Sequence, residues 1–191
     1  VQCYGARKYH HGLGQISAVL KAAGHATSLI YLQEEPARHS FLRQVEATQP
    51  DLVAFSCTTH QHGVSERCAG WIKEAHPEWF LLAGGVHVTL ATEEMARSTA
   101  FDALCVGEGE APTLELAERL ERGESPADIR NLWVREDGGW ARNPLRPLIA
   151  DLDTLPYVDR DFFDFDAVVA ENGGWVDLMA GRGCPYQCTY C

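Results

Sequence analysis

Along residues 1–125 short strand-like apolar runs alternate with stretches whose apolar positions recur at helical spacing. Val1-Gln2-Cys3-Tyr4 reads as the end of a first strand. Leu13, Ile16, Leu20 and Ala23 recur at helical spacing, and Gly24 suits the left-handed position that closes a helix. Residues 27–32 are β-branched and apolar and predict a second strand. Phe41, Leu42 and Val45 mark a short helix that ends before Pro50. Residues 51–56 form a buried-strand run, followed by a helical stripe of Val64, Cys68, Trp71, Ile72 and Ala75 that Pro77 stops. Residues 79–83 predict a fourth strand, and Thr92 with Glu93 and Glu94 a helix start. Residues 103–106 predict a fifth strand. Pro112 fits the N1 position of a last helix carrying Leu116, Ala117 and Leu120, with Gly123 as its stop.

Five short strands separated by helices imply an α/β fold with a parallel, doubly wound sheet. The flavodoxin-like order 2-1-3-4-5 fits best. Such sheets take ligands at the carboxyl ends of their strands, beside the point where strand order reverses. Three loops stand out at that edge: residues 5–12, 57–63 and 84–89.

Beyond residue 125 the pattern changes. Leu132-Trp133-Val134-Arg135, a turn at Asp137-Gly138-Gly139 and Trp140-Ala141-Arg142 read as a β-hairpin. Residues 144–165 are rich in Asp, Pro and aromatics without periodicity, a connector expected to pack on a neighbour through Phe162, Phe163 and Phe165. Residues 176–180 predict one more strand, leading into three closely spaced cysteines.

Composition narrows the class. Of 191 residues, 46% are apolar, ample for a core. The net charge of −11 argues against nucleic acid as the main partner. No apolar run approaches the ~18 residues of a membrane span, and no secretion signal opens the chain. Val1 rather than Met at the start points to a clipped N-terminus. The 7 cysteines are odd in number and scattered, which fits a reducing, cytoplasmic setting better than a disulfide framework.

Cys184, Cys188 and Cys191 form the pattern C-x3-C-x2-C. Three thiolates in one short loop can grip one metal centre. A structural zinc site is the plain alternative, but zinc loops pair two cysteines and draw the others from afar. Four-iron clusters usually take four thiolates, so three leave one iron open. The loop Gly181-Arg182-Gly183-Cys184-Pro185-Tyr186-Gln187-Cys188-Thr189-Tyr190-Cys191 resembles the signature of the radical S-adenosylmethionine (SAM) superfamily. That resemblance implies a 4Fe-4S cluster on Cys184, Cys188 and Cys191, with SAM chelated at the open iron and Tyr190 beside the adenine. It also implies reductive cleavage of SAM to a 5′-deoxyadenosyl radical, fed by a reductant such as flavodoxin or ferredoxin.

The upstream part resembles the cobalamin-binding domain that precedes many such enzymes. The matching pieces are Gly12-Leu13-Gly14, Ser56-Cys57-Thr58-Thr59, Gly84-Gly85-Val86-His87-Val88-Thr89 and Gly107-Glu108-Gly109-Glu110, with Asp153-Thr154-Leu155-Pro156-Tyr157-Val158-Asp159 followed by Arg160-Asp161-Phe162 in the connector. The resemblance implies cobalamin contacts at Gly12, Ser56, Thr58, Gly84, Gly85, His87, Gly107 and Glu108. Each has a plainer reading. Gly84 and Gly85 can serve a strand-to-loop turn, Ser56 and Thr58 can cap the following loop, and Glu108 can favour a helix dipole. The motif D-x-H-x-x-G, whose histidine ligates cobalt in many cobalamin proteins, is absent. Thr58 stands where His60 would need the acid, and Tyr9 where His11 would. His10, His11, His60 and His62 nevertheless flank the expected switch point. Cys3, Cys57, Cys68 and Cys105 read as small buried hydrophobes.

The resemblance divides the chain into a cobalamin-binding domain (1–125), a connector with a hairpin (126–168) and the start of a radical SAM barrel (169–191), truncated after its cluster loop. It implies a cobalamin-dependent radical SAM enzyme acting on an unidentified small molecule. Methyl transfer to an unactivated centre is the expected outcome. Cyclisation or rearrangement, a cobalamin-free scaffold domain, and a non-catalytic cobalamin carrier or sensor are the alternatives. The piece alone is expected to be inactive, since a cluster loop without barrel walls neither excludes water nor places substrate.

Overall fold

The structure is a computed structural model that describes residues 1–3, 9–184 and 186–189. In chain order the elements are β1 (Gln2–Cys3), α1 (His11–Ala22), β2 (Tyr31–Leu32), α2 (Arg38–Glu46), β3 (Leu52–Ser56), α3 (His62–Ala75), β4 (Phe80–Gly84), α4 (Val86–Leu90) and α5 (Thr92–Met95). Then come β5 (Ala103–Cys105), α6 (Glu110–Glu121), β6 (Leu132–Glu136), β7 (Gly139–Arg142), a 3-10 turn (Leu152–Thr154) and α7 (Phe165–Glu171). The strands form one sheet in the order β2-β1-β3-β4-β5-β6-β7. The first five run parallel in the flavodoxin-like order, and the order reverses between β1 and β3.

Alternation along each strand divides the core into two layers. Val53, Phe55, Leu81, Ala83 and Leu104 face one side, where they meet Phe41, Val45, Cys68 and Ile72 from α2 and α3. Leu82, Ala103 and Cys105 face the other, with Leu116 of α6. α1 packs beside α6 on that second side. A doubly wound sheet follows from strands that are apolar on both faces.

The expected hairpin forms, and it also continues the sheet. β6 pairs antiparallel with β5, and β7 with β6. Leu132 and Val134 bury against α6 while Trp133 packs on the opposite layer. The guanidinium groups of Arg142 and Arg135 lie 4.3 Å from the ring centres of Trp133 and Trp140.

The connector is fastened to α1. Asp159 Oδ2 accepts from Ser17 Oγ and Lys21 Nζ, both at 2.6 Å, and Gln15 Nε2 donates to the Pro156 carbonyl at 2.7 Å. Phe163 is buried, as its packing role requires. Gly14 makes room for this contact, because a Cβ there would stand 2.7 Å from Val158 Cγ1.

Four expectations need correction. The second strand covers only Tyr31–Leu32 rather than 27–32. The ladder with β1 pairs Tyr31 with Gln2 and Leu32 with Cys3. Residues 84–89 are not simply a loop, since α4 begins at Val86. Pro112 is the third residue of α6, not the first; its missing N–H is still one that the first turn leaves unpaired. Residues 176–180 form no strand, and Val176, Leu178 and Met179 are exposed. A strand needs a ladder partner for its backbone groups, and none of the described strands borders this segment.

Candidate cofactor site at the carboxyl edge of the sheet

The loops after β3, β4 and β5 meet at one edge, together with the start of α1. His10 caps α1: its Nδ1 accepts the Leu13 N–H at 3.2 Å. That leaves the proton on Nε2, which points at Ser56 Oγ, 3.3 Å away at the end of β3. Burial pushes the His10 pKa below its usual value, with His11 adding to the shift, so the neutral ring is the stable form. Gly12 lies on the same turn, and a Cβ there would touch the His10 ring at 3.4 Å.

Gly85 sits at φ +97°, a left-handed conformation that costs other residues strain. A Cβ on it would lie 2.8 Å from the Cys57 carbonyl oxygen and 2.9 Å from the Cys57 nitrogen. The β3 and β4 ends are drawn together there, with Cys57 N–H donating to the Gly84 carbonyl at 2.8 Å and His87 N–H to the Cys57 carbonyl at 3.1 Å. A Cβ on Gly84 would meet Cys105 at 3.5 Å. Both glycines are thus used by the chain's own packing. Thr58 is half-buried; its N–H donates to Gln61 Oε1 at 3.2 Å, and its carbonyl accepts from the N–H groups of Gln61 and His62 as α3 begins.

His87 is 3% exposed, so its ring backs the edge from beneath. Its Nδ1 is 3.2 Å from Thr59 Oγ1, and its Nε2 is buried without a hydrogen-bond partner. The His62 ring stacks on it at 4.4 Å between centres. Burial first, then the neighbouring His62, lowers the His87 pKa, while Glu94 opposes the shift.

After β5, Gly107 takes φ +85° and donates its N–H to Thr89 Oγ1 at 3.0 Å. Asn131, itself at φ +72°, donates from Nδ2 to the Val106 carbonyl at 2.7 Å and pins this turn. Glu108 Oε2 accepts from the Ile149 N–H at 2.8 Å, and Glu108 Oε1 accepts from Arg182 Nη1 at 3.0 Å. Arg182 also donates to Glu110, which is 4% exposed. The run that carries the cysteines is thereby tied to the sheet edge.

Cys184 and Cys188 are free and exposed. Tyr190 and Cys191 lie outside the described residues. Cys57, Cys68 and Cys105 are buried, as expected, and burial pushes the Cys105 thiol up to about 12, which keeps it protonated. On the sheet face between α1 and α6 lies a cavity of about 750 Å³. Its lining includes Leu13 and Thr113 in the first turns of those helices, but it also takes in residues 25–30 and 48–52, so it reaches to the amino ends of β2 and β3.

The structure therefore brings Gly12, Ser56, Thr58, Gly84, Gly85, His87, Gly107 and Glu108 to one edge. Sequence reasoning gave no role to Thr59 or Arg182, although both stand in the matched pieces, and did not single out Asn131. Arg182 had a signal, a cation between two glycines directly before Cys184. Thr59 and Asn131 had none beyond their ability to bond local backbone.

Residues 1–117 match the family model described as B12 binding domain. A Pyrococcus horikoshii protein named "Uncharacterized methyltransferase PH0819" is 28% identical over 94% of this chain and 39% of its own length. The anaerobic magnesium-protoporphyrin IX monomethyl ester cyclase of Rubrivivax gelatinosus is 26% identical over 92% of this chain and 33% of its own. Among solved structures, the cobalamin-dependent S-adenosylmethionine radical enzyme OxsB, with aqua-cobalamin and S-adenosylmethionine bound, superposes with a TM-score of 0.80. It covers 97% of this chain and 26% of that one at 18% identity, a likeness of fold. The chain thus spans under two fifths of the length of these relatives. No helix among the described residues is long and apolar enough to cross a membrane.

Proposed function

Because the chain belongs to the B12 binding domain family, we propose that it holds cobalamin at the carboxyl edge of its sheet and joins it to radical SAM chemistry at Cys184, Cys188 and Cys191. The observation that supports this most is the tie from Arg182, two residues before Cys184, to Glu108 and Glu110 beside the edge where the β3, β4 and β5 loops converge. The edge suits a corrin with amide side chains and a nucleotide tail. Ser56 and Thr58 offer hydrogen-bonding groups at the switch point, and the slot between α1 and α6 offers a mixed lining of Leu13, Ile16 and Leu20 with Ser17, Thr27 and Thr113. Held at this edge, cobalamin would supply methyl-transfer chemistry, and a 4Fe-4S cluster on Cys184, Cys188 and Cys191 would supply an electron to SAM. The chain's own part is to orient and exclude. His10, kept neutral, holds Ser56, and Gly85 keeps the β3 and β4 ends closed.

Methyl transfer to a small molecule is the reaction we assign, in line with the name of the Pyrococcus relative. The name of the Rubrivivax relative favours cyclisation as the second reading. A flavodoxin- or ferredoxin-type reductant would be the redox partner. Anaerobic reconstitution with iron, sulfide and hydroxocobalamin tests the pairing of cofactors. Both corrinoid and iron should stay with the protein through gel filtration. Changing Cys184, Cys188 and Cys191 to Ser should remove the iron and leave the corrinoid. Iron retained without corrinoid would refute the cobalamin assignment.

A further inference from the structure

Thr59 engages two imidazoles at once. Its carbonyl faces His62 Nδ1 at 2.8 Å, and its hydroxyl faces His87 Nδ1 at 3.2 Å. A carbonyl only accepts, so His62 carries its proton on Nδ1, and the Nε2 lone pair of the neutral ring stays free. On His87 the Nε2 is buried and has no partner. Glu94 lies beside them, its Oε1 3.9 Å from His62 Nε2, too long for a hydrogen bond. One ligand atom from each of His62, His87 and Glu94 falls within 4.8 Å of the others.

We propose that His62, His87 and Glu94 form a binding site for a borderline divalent cation such as Zn2+, separate from the cysteine run. Histidine ligands typically give their second ring nitrogen to a carbonyl or hydroxyl that fixes tautomer and orientation, and Thr59 supplies both. Two imidazoles and a carboxylate make a nitrogen–oxygen donor set suited to zinc, with further positions left for water. At Zn–N distances near 2.0–2.1 Å, ligand atoms stand roughly 3.4 Å apart in a tetrahedral site, so the set must close by about 1.5 Å. Glu94 is exposed and His62 half-buried, so these two move toward the fixed ring of His87. The cation would join the starts of α3 and α4 to α5 and lock the loops that follow β3 and β4.

The test removes the competing thiolates by changing Cys184, Cys188 and Cys191 to Ser, then titrates Zn2+ calorimetrically and Co2+ by visible absorption. One equivalent should bind, and the Co2+ spectrum should lack thiolate charge-transfer bands. His62→Ala and Glu94→Gln, both at solvent-accessible positions, should each weaken Zn2+ at least about tenfold with the circular dichroism spectrum unchanged. Thr59→Val keeps the carbonyl and loses the hydroxyl, and should cost about tenfold or more. No saturable Zn2+ binding, or an affinity untouched by His62→Ala and Glu94→Gln, would overturn the site. An affinity untouched by Thr59→Val would overturn the orienting role of Thr59.

Discussion

A Cβ added to Gly85 would meet the Cys57 backbone at 2.8 and 2.9 Å, whereas one added to Gly173, Gly174, Gly181 or Gly183 would meet nothing within 4 Å. The same contrast separates the cysteines: Cys57 is 1% exposed, while Cys184 and Cys188 are open to solvent. At the sheet edge, the geometry depends on loops from distant parts of the sequence being pressed together. In the cysteine run the spacing is local, and Trp175 and Leu178 stand 81% and 77% exposed around it. One region has its geometry built by packing. The other is tied to it through the bonds of Arg182.

Gly85→Ala should break the packed side of this contrast most severely. It combines a left-handed φ with a clash against backbone, and we expect a loss of about 3 kcal/mol or more in urea unfolding. Gly181→Ala, where the added methyl meets open space, should leave the urea midpoint nearly unchanged. Equal losses would mean that the two regions do not differ in packing.

Arg182→Ala should cut the link between the regions. Glu110 is almost fully buried and would lose a charged partner, but Arg182 itself is 27% exposed, so solvent offsets part of the cost. A loss of about 1–2 kcal/mol is expected. Limited proteolysis should show faster cleavage between 173 and 189, with the sheet still protected. Unchanged cleavage would show that Arg182 does not hold the run.

The smallest effect concerns His10. Its folded-state pKa is depressed by burial, so as pH falls through about 6.5 the unfolded chain takes up a proton that the folded chain refuses. This contribution to stability is present above the unfolded pKa and is lost on acidification, levelling off below the folded pKa. His10→Asn keeps an acceptor for the Leu13 N–H and removes the titration. The fall in melting temperature between pH 7.5 and pH 5.5 should be shallower in that variant. An identical pH profile would contradict the buried, neutral His10.

Much of the doubly wound fold was legible because β3, β4 and β5 are apolar on both faces and their helices carry clear stripes. Residues 27–30 and 176–180 look just as much like strands, yet pairing is a property of the neighbour and not of the run itself. α4 escaped detection because five residues are too few to show a period. At the site, the cysteine spacing declared itself, since all three residues sit within one stretch of eight. The tie from Arg182 to Glu108 and Glu110 spans more than 70 positions, and only the fold brings those side chains together. Gly85 was visible as a glycine. Its reason, the approach of Cys57 from another strand, was not.

The central claim is that the sheet edge binds cobalamin by itself, without help from the cluster. Titrating hydroxocobalamin into the chain with Cys184, Cys188 and Cys191 changed to Ser, followed by visible absorption and thermal melting, tests it directly. Saturable one-to-one binding with a raised melting temperature is the predicted result. A folded chain whose corrin spectrum and melting temperature stay unchanged at excess corrinoid would contradict it.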